Sequence, residues 1–154
     1  MALLEFENLQ AFRTLEGKPI PTGDWVVVTQ DMIDDFARAT MDFQWIHVDP
    51  EKAAKHSPFK KTVAHGFLSL ALLSRLLGGC VRVRSATMGV NYGLNKVRFP
   101  SPVPVDSLIR LTGRVQEVED YRDNGLKITW HCVIEIEGSA KPACVAEFIS
   151  LMFE

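Results

Sequence analysis

The chain lacks the features that most readily assign a protein to a class. No apolar run reaches the ~20 residues that a bilayer span requires, so membrane insertion is not expected. Seventeen Lys and Arg stand against 19 Asp and Glu, and the resulting net charge of −2 offers nucleic acid and anionic lipid no bulk attraction. Cysteine is scarce. Cys80, Cys132 and Cys144 are odd in number and follow neither C-x-x-C nor Cys/His metal spacing, which argues for buried structural thiols in a reducing compartment. G-x-S-x-G, H-E-x-x-H, P-loop and G-x-G-x-x-G motifs are all absent, so a nucleophile elbow, a metal site and a nucleotide cofactor are not expected. Residues 1–7 (Met-Ala-Leu-Leu-Glu-Phe-Glu) carry two acids and no basic region before an apolar core, unlike a signal peptide, and a cytoplasmic protein is expected.

Apolar residues, by contrast, are plentiful. At 47% of the chain they suffice for the core of one domain over residues 1–154. They are densest in 65–77, where Phe67, Leu68, Leu70, Ala71, Leu72, Leu73, Leu76 and Leu77 fall on all sides of a 3.6-residue period. That pattern predicts a helix covered on most sides, stopped at Gly78-Gly79. Upstream, the spacing predicts a weak helix in 5–13, a loop over 17–24, a short strand at 25–28, a helix capped by Thr29 and running to Thr40, and a loop over 42–49. Asp49-Pro50-Glu51 then opens a short helix. Downstream, strands are predicted over 86–99, bent at Gly89 and Gly93, and over 107–118, 126–136 and 143–153. An antiparallel sheet that curves around one apolar helix satisfies both patterns: an α+β hot-dog fold. Its open edge favours pairing with a second copy, so a homodimer is expected.

Two features suit chemistry. Asp42 and His47 flank Phe43-Gln44-Trp45-Ile46, and a carboxylate and an imidazole at that spacing can share one water and exchange protons with it. The same residues also read as a turn cap and a packed imidazole, and spacing alone leaves both readings open. Gly66 opens the apolar helix, where free N–H groups and the positive end of the helix dipole suit a developing oxyanion. It also reads as a plain helix start. Ser74 reads either as a ligand contact or as a hydroxyl bonded within its own helix. His65 reads as shaping the start of the helix, and His56 and His131 as solvated.

Three stretches together resemble the MaoC-like dehydratase family, which includes the (R)-specific enoyl-CoA hydratases, and in particular its nodulation-protein-N-like branch. They are Asp42-Phe43-Gln44-Trp45-Ile46-His47-Val48-Asp49, Ala64-His65-Gly66-Phe67, and Asn91-Tyr92-Gly93-Leu94-Asn95-Lys96-Val97-Arg98-Phe99-Pro100-Ser101-Pro102-Val103. The resemblance implies that Asp42 and His47 activate water, that the Gly66 N–H is the oxyanion donor, and that Ser74 belongs to the substrate site. It also implies a trans-2-enoyl thioester substrate and an (R)-3-hydroxyacyl product, with coenzyme A entering as part of the substrate and no separate cofactor. A thioesterase on the same fold and a non-catalytic acyl-CoA binding module are the competing functions.

Overall fold

The order of elements in the computed structural model, which describes residues 3–154, follows the predicted change from helices to strands. Met1 and Ala2, the start of the acidic N-terminal run, lie outside the described residues. The chain runs β1 (Leu4–Phe6), α1 (Leu9–Phe12), a 3-10 turn (Arg13–Leu15), β2 (Val26–Val27), α2 (Gln30–Thr40), α3 (Trp45–Val48), α4 (Pro50–His56), α5 (Gly66–Ala71) and α6 (Leu73–Gly78). The strands β3 (Val81–Val83), β4 (Met88–Arg98), β5 (Leu108–Tyr121), β6 (Gly125–Ile136) and β7 (Cys144–Phe153) complete it.

Five strands form one antiparallel sheet in the order β2-β5-β6-β7-β4, and β1 pairs in parallel with β3 in a separate two-stranded ribbon. Period-2 alternation sets the sheet's inner face: Leu126, Ile128, Trp130, Cys132, Ile134 and Ile136 on β6 are all buried, as are Ile109, Leu111 and Val115 on β5. Register shifts between Asn91 and Gly93, and again between Leu94 and Val97, bend β4; the first falls at Gly93 as expected, whereas Gly89 pairs with Met152 in regular register. Leu68, Leu73, Leu76 and Leu77 of α5 and α6 pack into the same core as the inner residues of β5, β6 and β7. The sheet curls around the helix, and the fold is the hot-dog fold.

The structure corrects the sequence reading in four places. The 5–13 helix becomes a three-residue strand and a single helical turn capped by Asn8, because β1 has β3 to pair with. The 25–28 strand shrinks to two residues. The 42–49 loop contains α3. The central helix bends at Leu72, whose ψ of −11° interrupts helical geometry while the Leu72 N–H to Leu68 and Leu76 N–H to Leu72 bonds carry the ladder through. This helix is also not covered on most sides: Phe67 is 70% exposed, and Ala71 and Ser74 face outward beside it.

Candidate active site

Three segments meet where the site forms, and hydrogen bonds stitch them together. The Val63 amide donates to the Ile46 carbonyl (3.0 Å), and the Ala64 amide donates to the Val103 carbonyl (2.8 Å), so residues 62–64 lie between α3 and the 103–105 segment. Gln30, the first residue of α2, ties them further. Its amide nitrogen donates to the His47 carbonyl (2.8 Å), and its oxygen accepts from the buried Thr62 hydroxyl (2.6 Å). α3 has no side-chain cap of its own, so these tertiary bonds hold its single turn in place.

His47 sits on that turn and is buried, not packed at the surface. Its Nδ1 lies 2.6 Å from the Val63 carbonyl oxygen, and a carbonyl only accepts, so the proton is on Nδ1 and Nε2 carries the lone pair. Burial is the largest influence on this imidazole and holds its pKa below the ordinary histidine value. The Val63 carbonyl and the Asp42 carboxylate pull the other way and the His65 ring adds to the lowering, leaving His47 a ready acceptor at neutral pH.

Asp42 is reached through a left-handed residue. Met41 closes α2 at φ 62°, ψ 21°, a conformation that costs a non-glycine residue on the order of 1 kcal/mol. The chain then reverses, and Asp42 Oδ1 accepts the Gln44 N–H (3.3 Å) in a tight turn. Asp42 therefore caps a turn, as one of its two readings has it, and its carboxylate stands half-exposed. Among the described residues, Asp42, His47 and His65 each offer an oxygen or nitrogen atom within 4.8 Å of the others. This trio does not suit a metal ion. The two imidazoles stack at 3.8 Å and 23°, so their in-plane lone pairs run side by side and do not converge on a point.

Gly66 is the first residue of α5, a position whose N–H has no carbonyl partner inside a helix. The Phe99 ring lies against its Cα, and a Cβ there would meet that ring at 3.0 Å. Gly66, His47 and Phe99 line one cavity of about 320 Å³ with Ser69, Ser101 and Val103. Ser74 lies elsewhere. Its hydroxyl donates to Asn91 Oδ1 (3.3 Å) across to β4, and it lines a separate, apolar cavity of about 390 Å³ with Phe36, Phe67, Leu70 and Phe148. The structure thus brings Asp42 beside His47, sets His47 and Gly66 on one cavity, and leaves Ser74 in another hollow. Sequence reasoning missed Ser69, which shares the Gly66 face of the helix one turn on, and it missed the supporting roles of Gln30 and His65.

Arg84 is paired with Glu5 and Glu7 at the surface, away from the site. The three cysteines are free and buried. Burial pushes Cys132 up to about 12 and Cys144 to about 11, so none is a poised nucleophile at neutral pH.

Comparison with known proteins shows the family. The model of the MaoC like domain matches residues 11–135. The chain is 49% identical over 144 residues to 3-hydroxyacyl-thioester dehydratase Z of Mycobacterium tuberculosis, covering 94% of this chain and 95% of that protein. It is 43% identical over 137 residues to nodulation protein N of Rhizobium leguminosarum, covering 88% and 85%. Its fold matches that of the R-hydratase PhaJ1 from Pseudomonas aeruginosa with a TM-score of 0.68 at 21% identity, over 90% of this chain and 82% of that one.

Proposed function

Because the chain belongs to the MaoC-like dehydratase family, we propose that it catalyses the reversible syn addition of water to a trans-2-enoyl-CoA, giving an (R)-3-hydroxyacyl-CoA. The observation that supports this reading is the meeting of two proton acceptors, the Asp42 carboxylate and His47 Nε2, with Gly66 at the start of α5 lining the same cavity as His47. The name of the mycobacterial relative, a 3-hydroxyacyl-thioester dehydratase, supports the thioester class.

The chemistry follows from that arrangement. One water donates a hydrogen bond to each acceptor, which leaves an oxygen lone pair for the substrate's β-carbon. As the C–O bond forms, charge moves through the conjugated system onto the thioester oxygen, where the Gly66 N–H receives it. A donor so placed is worth on the order of 10²–10³ in rate. Asp42 takes the water's proton while His47 Nε2 accepts the water's other hydrogen bond and orients it, and the proton held on Asp42 is then delivered to the α-carbon on the same face, which restores the carboxylate. Water is consumed as hydroxyl on one carbon and hydrogen on its neighbour, and the reverse path is the dehydration. No cofactor is required beyond the coenzyme A that the substrate brings.

The acyl chain is placed in the 390 Å³ apolar cavity beside the helix, with Ser74 and Asn91 as its polar contacts. A homodimer is proposed on β4. This strand ends the sheet, and Met88, Val90, Tyr92 and Leu94 on it are exposed, the last two lining one cavity with Phe67. None of the helices in the described residues is long and apolar enough to cross a membrane, and a cytoplasmic location is proposed.

The test is an assay of trans-2-enoyl-CoA substrates of several chain lengths that follows both loss of the conjugated absorbance and release of free thiol. Hydration without thiol release is expected. Thiol release without hydration makes the protein a thioesterase, and neither signal at any length makes it a binding module.

A further inference from the structure

The geometry points to His65 as the positioning residue that holds Asp42 in its reacting orientation through a hydrogen bond to the Asp42 main chain. This rests on the hydratase reading above. His65 Nε2 lies 3.0 Å from the Asp42 carbonyl oxygen, so Nε2 carries the proton and donates. Its other nitrogen, Nδ1, is buried and has no hydrogen-bond partner among the described residues. An apolar ring would fill the same space without stranding a buried polar atom. The histidine therefore earns its place through Nε2, not through packing.

The turn that receives this bond needs an outside hold. Asp42 follows a left-handed methionine, its side chain is half in water, and its own bonds within the turn are long: 3.3 Å from the Gln44 N–H to Oδ1 and 3.4 Å from the Asp42 N–H to the Thr40 hydroxyl. His65 reaches across 23 residues of sequence to fix it. Its ring is meanwhile clamped between His47, at 3.8 Å and near-parallel, and Phe36 of α2 at 4.9 Å. It is also the cap residue of α5, immediately before Gly66. One side chain thus touches both members of the proton-transferring pair and sits next to the oxyanion donor. Without its N–H, the Asp42 carbonyl is free to turn to solvent, the strained turn relaxes, and the carboxylate leaves the shared water.

Two substitutions separate the bond from the packing. His65→Phe keeps a ring between His47 and Phe36 and removes the donor. His65→Gln removes the ring stack and keeps an amide N–H where Nε2 stood. Misplacement of a catalytic group by ~1 Å costs about 10². For H65F the expected result is accordingly a fall in kcat of about that size with KM changed less than about threefold, and H65Q is expected to recover most of it. H65F as active as the parent, or more active than H65Q, overturns the proposal. Amide exchange gives a readout independent of activity: the Asp42 and Gln44 amides should exchange faster in H65F, and unchanged rates overturn the proposal. In the unmodified protein, 15N NMR should find the His65 proton on Nε2, and a proton on Nδ1 alone overturns it without any variant having to fold. If the parent hydrates no enoyl-CoA, the hydratase reading fails while exchange and tautomer still decide whether His65 holds the turn.

Discussion

Replacing His47 by alanine removes a proposed catalytic group and a structural one together, and the two losses are separately measurable. The ring is 7% exposed, stacked on His65 and bonded to the Val63 carbonyl. Its removal leaves that buried carbonyl unpaired, at about 1–3 kcal/mol. It also opens a hole in a packed contact, where large-to-small substitutions cost roughly 2–5 kcal/mol. Because the site already borders a cavity and can partly rehydrate, the sum belongs near the lower ends, about 3 kcal/mol. For a chain of this length each kcal/mol moves Tm by about 2–4 °C, so His47→Ala should melt roughly 6–12 °C below the parent. Asp42→Asn is the control. Its side chain is 52% exposed and the amide still accepts the Gln44 N–H, so stability should stay within about 0.5 kcal/mol. Enoyl-CoA hydration should nonetheless fall by at least ~10² in both variants. Thermal melts and steady-state rates on the same preparations decide the matter. An H47A protein that melts with the parent refutes the buried stack, and near-normal turnover in either variant refutes the pair.

Further outcomes follow from the same geometry. Because burial lowers the His47 pKa and the lone pair must be free, the acid limb of kcat/KM should lie below pH about 6.5. The linked stability has the same sign: it is fully present above the unfolded value near 6.5 and falls as pH drops from there toward the folded pKa, which titration of the unfolding free energy will show. Gly66→Ala forces a Cβ against the Phe99 ring, an overpacking of roughly 1–3 kcal/mol, and it should lower turnover unless Phe99→Leu is added to make room. Failure of the double variant to recover would place the obstruction elsewhere. Leu94→Lys on the β4 edge should yield monomers by light scattering, and an unchanged mass would move the dimer contact off that strand. A thiol reagent at pH 8 should find no fast-reacting cysteine in the folded protein and three after unfolding, since all three are buried.

Local chemistry made part of this legible in the sequence. The Thr29 hydroxyl caps α2 through the Met32 amide and Asp49 caps α4 through the Lys52 amide, as their residue types predict. Each residue that the alternation of β6 turns inward is buried, and Thr129 on the opposite face is buried as well. Elements made by distant partners were not legible. α3 has neither a side-chain cap nor a period in the sequence, and bonds from Gln30 and to Val63 help hold it as a turn. Ser69 is hidden among leucines, and its face becomes visible only once the helix register is known. The open side of the helix was unreadable for another reason: composition records that Phe67 is apolar, not whether this chain or a second copy covers it.

The unequal treatment of the proposed pair has a physical logic. Burial disfavours the charged form of any group, so it favours the accepting form of an imidazole and would penalise that of a carboxylate. A site that needs both as acceptors at once therefore cannot bury both. Here the imidazole is inside, with its proton committed to the Val63 carbonyl, and the carboxylate stands half in water. The consequence falls on precision. His47 is aligned by packing, whereas Asp42, without packing, depends on a strained turn and on a bond from a neighbour that is itself locked in place. Loss of activity without loss of stability should accordingly cluster among the residues that hold the Asp42 turn, and loss of both among those that hold His47.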